Sequence, residues 1–128
     1  MIDLEKQIGY WKTGGEEDWE AANRLLDAGM NRHGLFFAHL SLEKLIKGLV
    51  VKQTLEVPPK IHNLIRLLDL AQLQAEAAPP IVNALAKMNE FQMEGRYPEH
   101  SLPPPGKEEA LRYMRDAQEA RLWLLNRY

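Results

Sequence analysis

Arg96, Tyr97 and His100 stand within five positions of one another, in a stretch set off by Pro98 and the run Pro103-Pro104-Pro105. Prolines fix φ and forbid a helix through the segment, so residues 94–106 are expected to form a stiff loop. Loops held by a rigid scaffold are where reactive side chains are often displayed. An arginine grips a phosphate through two parallel hydrogen bonds, and a nearby histidine carries a proton near neutral pH. Cutting RNA without a metal needs such parts: a base for the ribose 2′-hydroxyl, a cation for the phosphorane and an acid for the leaving oxygen. Arg96 and His100 are therefore the candidate catalytic pair, and Arg96 with Tyr97 a candidate phosphate or nucleotide contact. The alternative is that Arg96 pairs with Glu94 or Glu99 and Tyr97 packs on the body of the protein.

His62 and Lys47 complete the candidate binding set. His62 follows Pro58-Pro59 at the expected start of a helix, where an anion can be held; a capping or packing histidine is the competing reading. Lys47 lies four residues after Glu43, a favourable spacing on a helix. His39 and Glu43 share that spacing and could supply two metal ligands, with a third from His62 or His100. An ion pair on the helix is the alternative, and no resident metal or cofactor is expected.

Other chemistry is missing. The chain has no cysteine, which removes disulfides, thiolate nucleophiles and cysteine zinc sites. It has no glycine-rich phosphate loop, no His-Glu-x-x-His and no serine in a nucleophile elbow. Its 128 residues suit one domain, and 45% hydrophobic with 27% charged residues is ordinary for a soluble one. No apolar run is long enough for a bilayer, and the acidic start Met1-Ile2-Asp3-Leu4-Glu5 is unlike a signal peptide, so a cytoplasmic protein is expected. A net charge of −2 argues against a broadly basic nucleic-acid coat. The distribution is uneven: residues 24–66 hold seven basic and three acidic side chains, while residues 1–23 hold two and six. The middle segment can thus offer a local positive face, unless its charges only solvate helix exteriors.

Helical periodicity supplies the elements that must position these residues. Ile2, Leu4, Ile8, Tyr10 and Trp11 suggest a short docking helix within residues 1–15, with a break at Gly14-Gly15, since each helical glycine costs about 1 kcal/mol relative to alanine. Trp19, Ala22, Leu26 and Met30 mark the first main helix, with Gly29 and Asn31 as stop signals. The widest apolar stripe runs from about Arg32 to Thr54 and places that helix centrally. Shorter helices follow from His62 or Asn63 to Gln74, and from Pro80 through Met88. A last one spans about Lys107 to Asn126, with Leu111, Met114, Ala117, Leu122 and Leu125 inward. No window alternates like a strand. The fold expected is all-α: an up-and-down bundle of four main helices plus short helical pieces, in one domain.

Four stretches in this order carry a resemblance: Glu16-Glu17-Asp18-Trp19-Glu20-Ala21-Ala22, then Phe37-Ala38-His39-Leu40-Ser41-Leu42-Glu43-Lys44-Leu45-Ile46-Lys47-Gly48-Leu49, then His62-Asn63-Leu64, and finally Gly95-Arg96-Tyr97-Pro98. Over roughly Tyr10 to Asn126 the chain resembles the HEPN domain family (higher eukaryotes and prokaryotes nucleotide-binding). The resemblance implies a small helical bundle, commonly a homodimer, often paired with a minimal nucleotidyltransferase, with a nucleotide or RNA as ligand. Some members are RNase toxins restrained by that partner; others bind nucleotides or are non-catalytic. The RNase members carry an arginine, four to six residues, then a histidine. Arg96 and His100 have three residues between them, and Arg32 and His39 have six. The implied role is a nucleotide- or RNA-binding half of a toxin–antitoxin-like pair. A metal-independent endoribonuclease and a non-catalytic dimerising bundle are the alternatives.

Overall fold

The computed structural model describes residues 2–92, 103 and 105–128. Five α-helices account for most of them: α1 (Leu4–Asp27), α2 (Asn31–Thr54), α3 (Leu64–Leu70), α4 (Pro79–Met88) and α5 (Lys107–Leu125), with a 3₁₀ turn at Asn89–Phe91 after α4. Among the described residues there is no strand. The all-α bundle expected from periodicity is what forms. Among the described residues no helix is long and apolar enough to cross a membrane.

The expected break at Gly14-Gly15 does not occur, and residues 4–15 are the first half of α1. Asp3 caps this helix by accepting from the Lys6 amide, and Gly29, at φ +80°, ends the turn beyond it. The glycine penalty is offset by packing. A Cβ on Gly15 would stand 2.8 Å from Leu45 Cγ and 3.1 Å from the Ser41 carbonyl. Ser41 Oγ donates to the Gly15 carbonyl at 2.6 Å. Two turns along, Gly34 makes the reciprocal approach, its absent Cβ leaving room for Leu26 Cγ and the Ala22 carbonyl. The glycines thus let α1 and α2 close as an antiparallel hairpin.

α2 packs against every other element and contributes Leu35, Ala38, Leu42, Leu45, Ile46, Leu49 and Val50 to the core. α3 is shorter than the apolar pattern suggests, because Gln72 takes φ +58° and turns the chain after Leu70. Pro79 and Pro80 occupy the first turn of α4, where no amide partner is lost. Its buried edge is Ile81, Ala84, Leu85 and Met88, extended by Phe91.

On α5 the inward face differs from expectation. Met114 and Ala117 are buried as expected, joined by Ala110, Ala120 and Leu124, while Leu111 and Leu122 are 53% and 49% exposed. Alanines let α5 lie close to α2 and α4, and the two leucines then fall about a third of a turn away from the contact.

Candidate functional site

His39, Glu43 and Lys47 succeed one another at four-residue steps, so one side of α2 carries all three. All three are buried, although they are polar. A buried carboxylate is tolerated only when its charge and lone pairs are matched. Lys47 Nζ donates to Glu43 Oε2 at 2.8 Å and also sits over the Trp11 ring of α1. The remaining capacity of Glu43 faces the α2–α3 connection. There His62 Nδ1 lies 3.0 Å from Oε2 and 3.2 Å from Oε1.

His62 is held from both ends. Its carbonyl accepts from His39 Nε2 at 3.1 Å. Burial pushes the His39 pKa down from 6.5 to about 4, against the opposing pull of Glu43, so this ring is neutral near pH 7. Its Nδ1 stands 3.8 Å from Glu43 Oε1, beyond hydrogen-bond length. A carboxylate only accepts, so the Glu43 contact requires the proton of His62 to be on Nδ1. The His62 side chain is nonetheless 62% exposed. The arrangement is an oriented imidazole with its inner edge committed and its Nε2 edge free of that commitment.

The amides that open α3 are occupied. Asn63 Oδ1 accepts from the amides of Ile65 and Arg66, and Asn89 Oδ1 accepts from the Leu64 amide at 2.8 Å. Asn89 Nδ2 donates in turn to Asn63 Oδ1. Any anion contact here therefore belongs to side chains, not to the helix end. Lys60 and Arg66, on either side of His62, are exposed and make no ion pair among the described residues.

Several cations of the positive segment 24–66 are paired with carboxylates, two of them from the acidic stretch 1–23. Arg24 pairs with Glu20, and Lys47 with Glu43. Lys44 Nζ stands 2.8 Å from Asp18 Oδ2, but off the hydrogen-bonding axis, so that pair is one of charge alone. Lys52 donates to the Arg127 carbonyl.

Of the residues singled out by sequence, the structure brings His62 and Lys47 to one carboxylate, with Lys47 inside and His62 at the surface. Arg96, Tyr97 and His100 lie outside the described residues. The three groups considered for a metal, His39, Glu43 and His62, do converge, but through hydrogen bonds that use His39 Nε2 and His62 Nδ1. Among the described residues no set of three such side chains is arranged to hold a metal ion. Arg32 sits half-buried on α2, while the Nε2 of His39 is engaged by the His62 carbonyl. Sequence reasoning missed Trp11 and Asn89. An asparagine just before an apolar period signals a cap, which points to Asn63; Asn89 has no comparable signal.

The class this defines is an all-α domain, five helices among the described residues, with a buried polar face of the central helix turned to the α2–α3 connection. The HEPN domain profile matches residues 8–128, and the chain belongs to the HEPN domain family. The fold is similar to the crystal structure of an archaeal HEPN homologue, with a TM-score of 0.71 and 19% identity over 98% of each chain. No curated protein matches the sequence.

Proposed function

We propose that this HEPN chain is a nucleotide- or RNA-binding protein of the cytoplasm, working as a homodimer in a toxin–antitoxin-like pair with a minimal nucleotidyltransferase. One observation carries the binding part: a buried carboxylate, Glu43, is paired with Lys47 and spends its other contacts orienting a solvent-facing His62. A charge buried at this cost in order to aim an exposed ring is better explained by a ligand than by folding alone. Lys47 then serves the site by balancing Glu43 rather than by touching the ligand. Family membership supports the partner and the dimer, and supplies no geometry for either. Arg96, Tyr97 and His100 add a second phosphate contact and, with His100 as proton carrier, the means for cleavage.

Calorimetric titration of the purified protein with ATP and with a short single-stranded RNA tests binding; light scattering at micromolar protein tests the dimer. Saturable binding of either ligand by a dimer is expected. Binding of neither would end the reading. Incubating RNA with wild type and His100→Ala in chelator separates binder from nuclease: cleavage lost with His100 makes the protein an RNase, and no cleavage leaves it a binding module.

A further inference from the structure

The α2–α3 connection and the first turn of α3 carry two cations of segment 24–66, Lys60 and Arg66, that pair with no carboxylate among the described residues. Lys60 stands at a tight turn closed by the Ile61 amide on the Pro59 carbonyl, His62 follows two residues on, and Arg66 is one helical turn beyond the cap Asn63, so all three side chains spring from this short connection and the first turn of α3. All three are exposed. The nearest acids along the chain, Glu56 and Asp69, form no ion pair with Lys60 or Arg66 among the described residues. Glu43 does face His62, but Lys47 balances its charge inside.

The three groups differ in what they can recognise. Lys60 and Arg66 are donors only, suited to phosphate oxygens and indifferent to sequence. His62 is different, because in the tautomer that the Glu43 contact requires the ring's proton is on Nδ1 and a lone pair is on Nε2. That atom accepts a hydrogen bond, and phosphate oxygens have none to give. A ribose 2′-hydroxyl does, and it is the group that separates RNA from DNA.

From this we infer that the Lys60–His62–Arg66 surface is a contact for a single RNA strand, with the two cations on phosphates and His62 Nε2 on a 2′-hydroxyl. The inference rests on the RNA side of the function proposed above. It needs no cleavage and no residue of the Arg96 loop.

Fluorescence anisotropy with a labelled single-stranded RNA and the DNA of the same sequence, across a salt series, tests it. Wild type should favour RNA. The K60A/R66A variant, altered only at exposed positions, should flatten the dependence of log K on log salt by about 1.4, the share of two phosphates on a single strand. His62→Asn keeps a donor for Glu43 and removes the Nε2 edge; it should cut the RNA preference by about three- to tenfold, the worth of one hydrogen bond. Circular dichroism of each variant checks the fold. If wild type binds RNA and K60A/R66A binds it with an unchanged slope, this surface is wrong while RNA binding stands. If His62→Asn keeps the full preference for RNA, the 2′-hydroxyl assignment is wrong. Binding of ATP without RNA overturns the inference but not the broader reading, and binding of neither overturns both.

Discussion

His39 shows how one residue reports on the whole polar cluster. It is buried, neutral, and donates Nε2–H to the carbonyl of His62. Its pKa of about 4 lies below the 6.5 of an unfolded histidine. Between those values the unfolded chain binds the proton and the folded one does not, so stability falls as pH drops from 6.5 towards 4. At pH 4.5 the loss from this residue is about 2 kcal/mol relative to pH 7. Urea unfolding at both pH values should show wild type losing that much more than His39→Gln, which keeps an amide donor but does not titrate. Equal losses would mean that His39 is not held neutral by its surroundings. The sequence exposed His39, Glu43, Lys47 and His62 as a set through helical spacing and a proline-bounded loop. It did not reveal that the set is buried, because i,i+4 charges most often lie on a solvated face. The ring edge that His62 turns inward is likewise a tertiary fact, fixed by a residue nineteen positions earlier.

At the scale of elements, the two halves of α1 give opposite lessons about glycine. Propensity penalises Gly9 and Gly15 alike. Only Gly15 has a neighbour that needs the missing Cβ, whereas a Cβ on Gly9 would meet nothing within 4 Å. Gly9→Ala should therefore stabilise the protein by about 1 kcal/mol. Gly15→Ala should destabilise it by about 1–3 kcal/mol, through overpacking against Leu45 and the Ser41 carbonyl. Thermal unfolding of the two variants checks the contrast, and a stabilised Gly15→Ala would show that α1 and α2 are not in close contact there. Local propensity places a break at Gly14-Gly15 because it cannot see α2. The α5 face was misread for a related reason: Leu111 and Leu122 carry the strongest apolar signal, yet the contact with α2 and α4 selects small alanines. The order of the main helices and the central place of α2 were legible, since a stripe that wide has to be covered on several sides.

Across the molecule, the segment that closes the bundle returns to the helix that organises it. Beyond α5 the Tyr128 hydroxyl donates to the Leu45 carbonyl on α2, and its ring lies over Gly48. Leu45 is also the residue that fills the notch left by Gly15. One turn of α2 thus meets α1 on one side and Tyr128 on another, and neither contact forms until the helices have assembled. Burial pushes the Tyr128 phenol well above the usual tyrosine range, in keeping with a hydroxyl that only donates. A domain tied in this way should unfold as one cooperative unit. Gly48→Ala would drive a methyl into the Tyr128 hydroxyl and should cost about 1–3 kcal/mol. In a Tyr128→Ala background the same change meets open space, and its cost should fall close to zero or reverse, since alanine is the better helix former. The double-mutant cycle from urea unfolding should accordingly return a coupling of about 1–3 kcal/mol between Gly48 and Tyr128, distant in sequence but adjacent in space. A coupling near zero would mean that Tyr128 does not rest on α2, and closure of the bundle would then have to be sought in the contacts of α5 itself with α2 and α4.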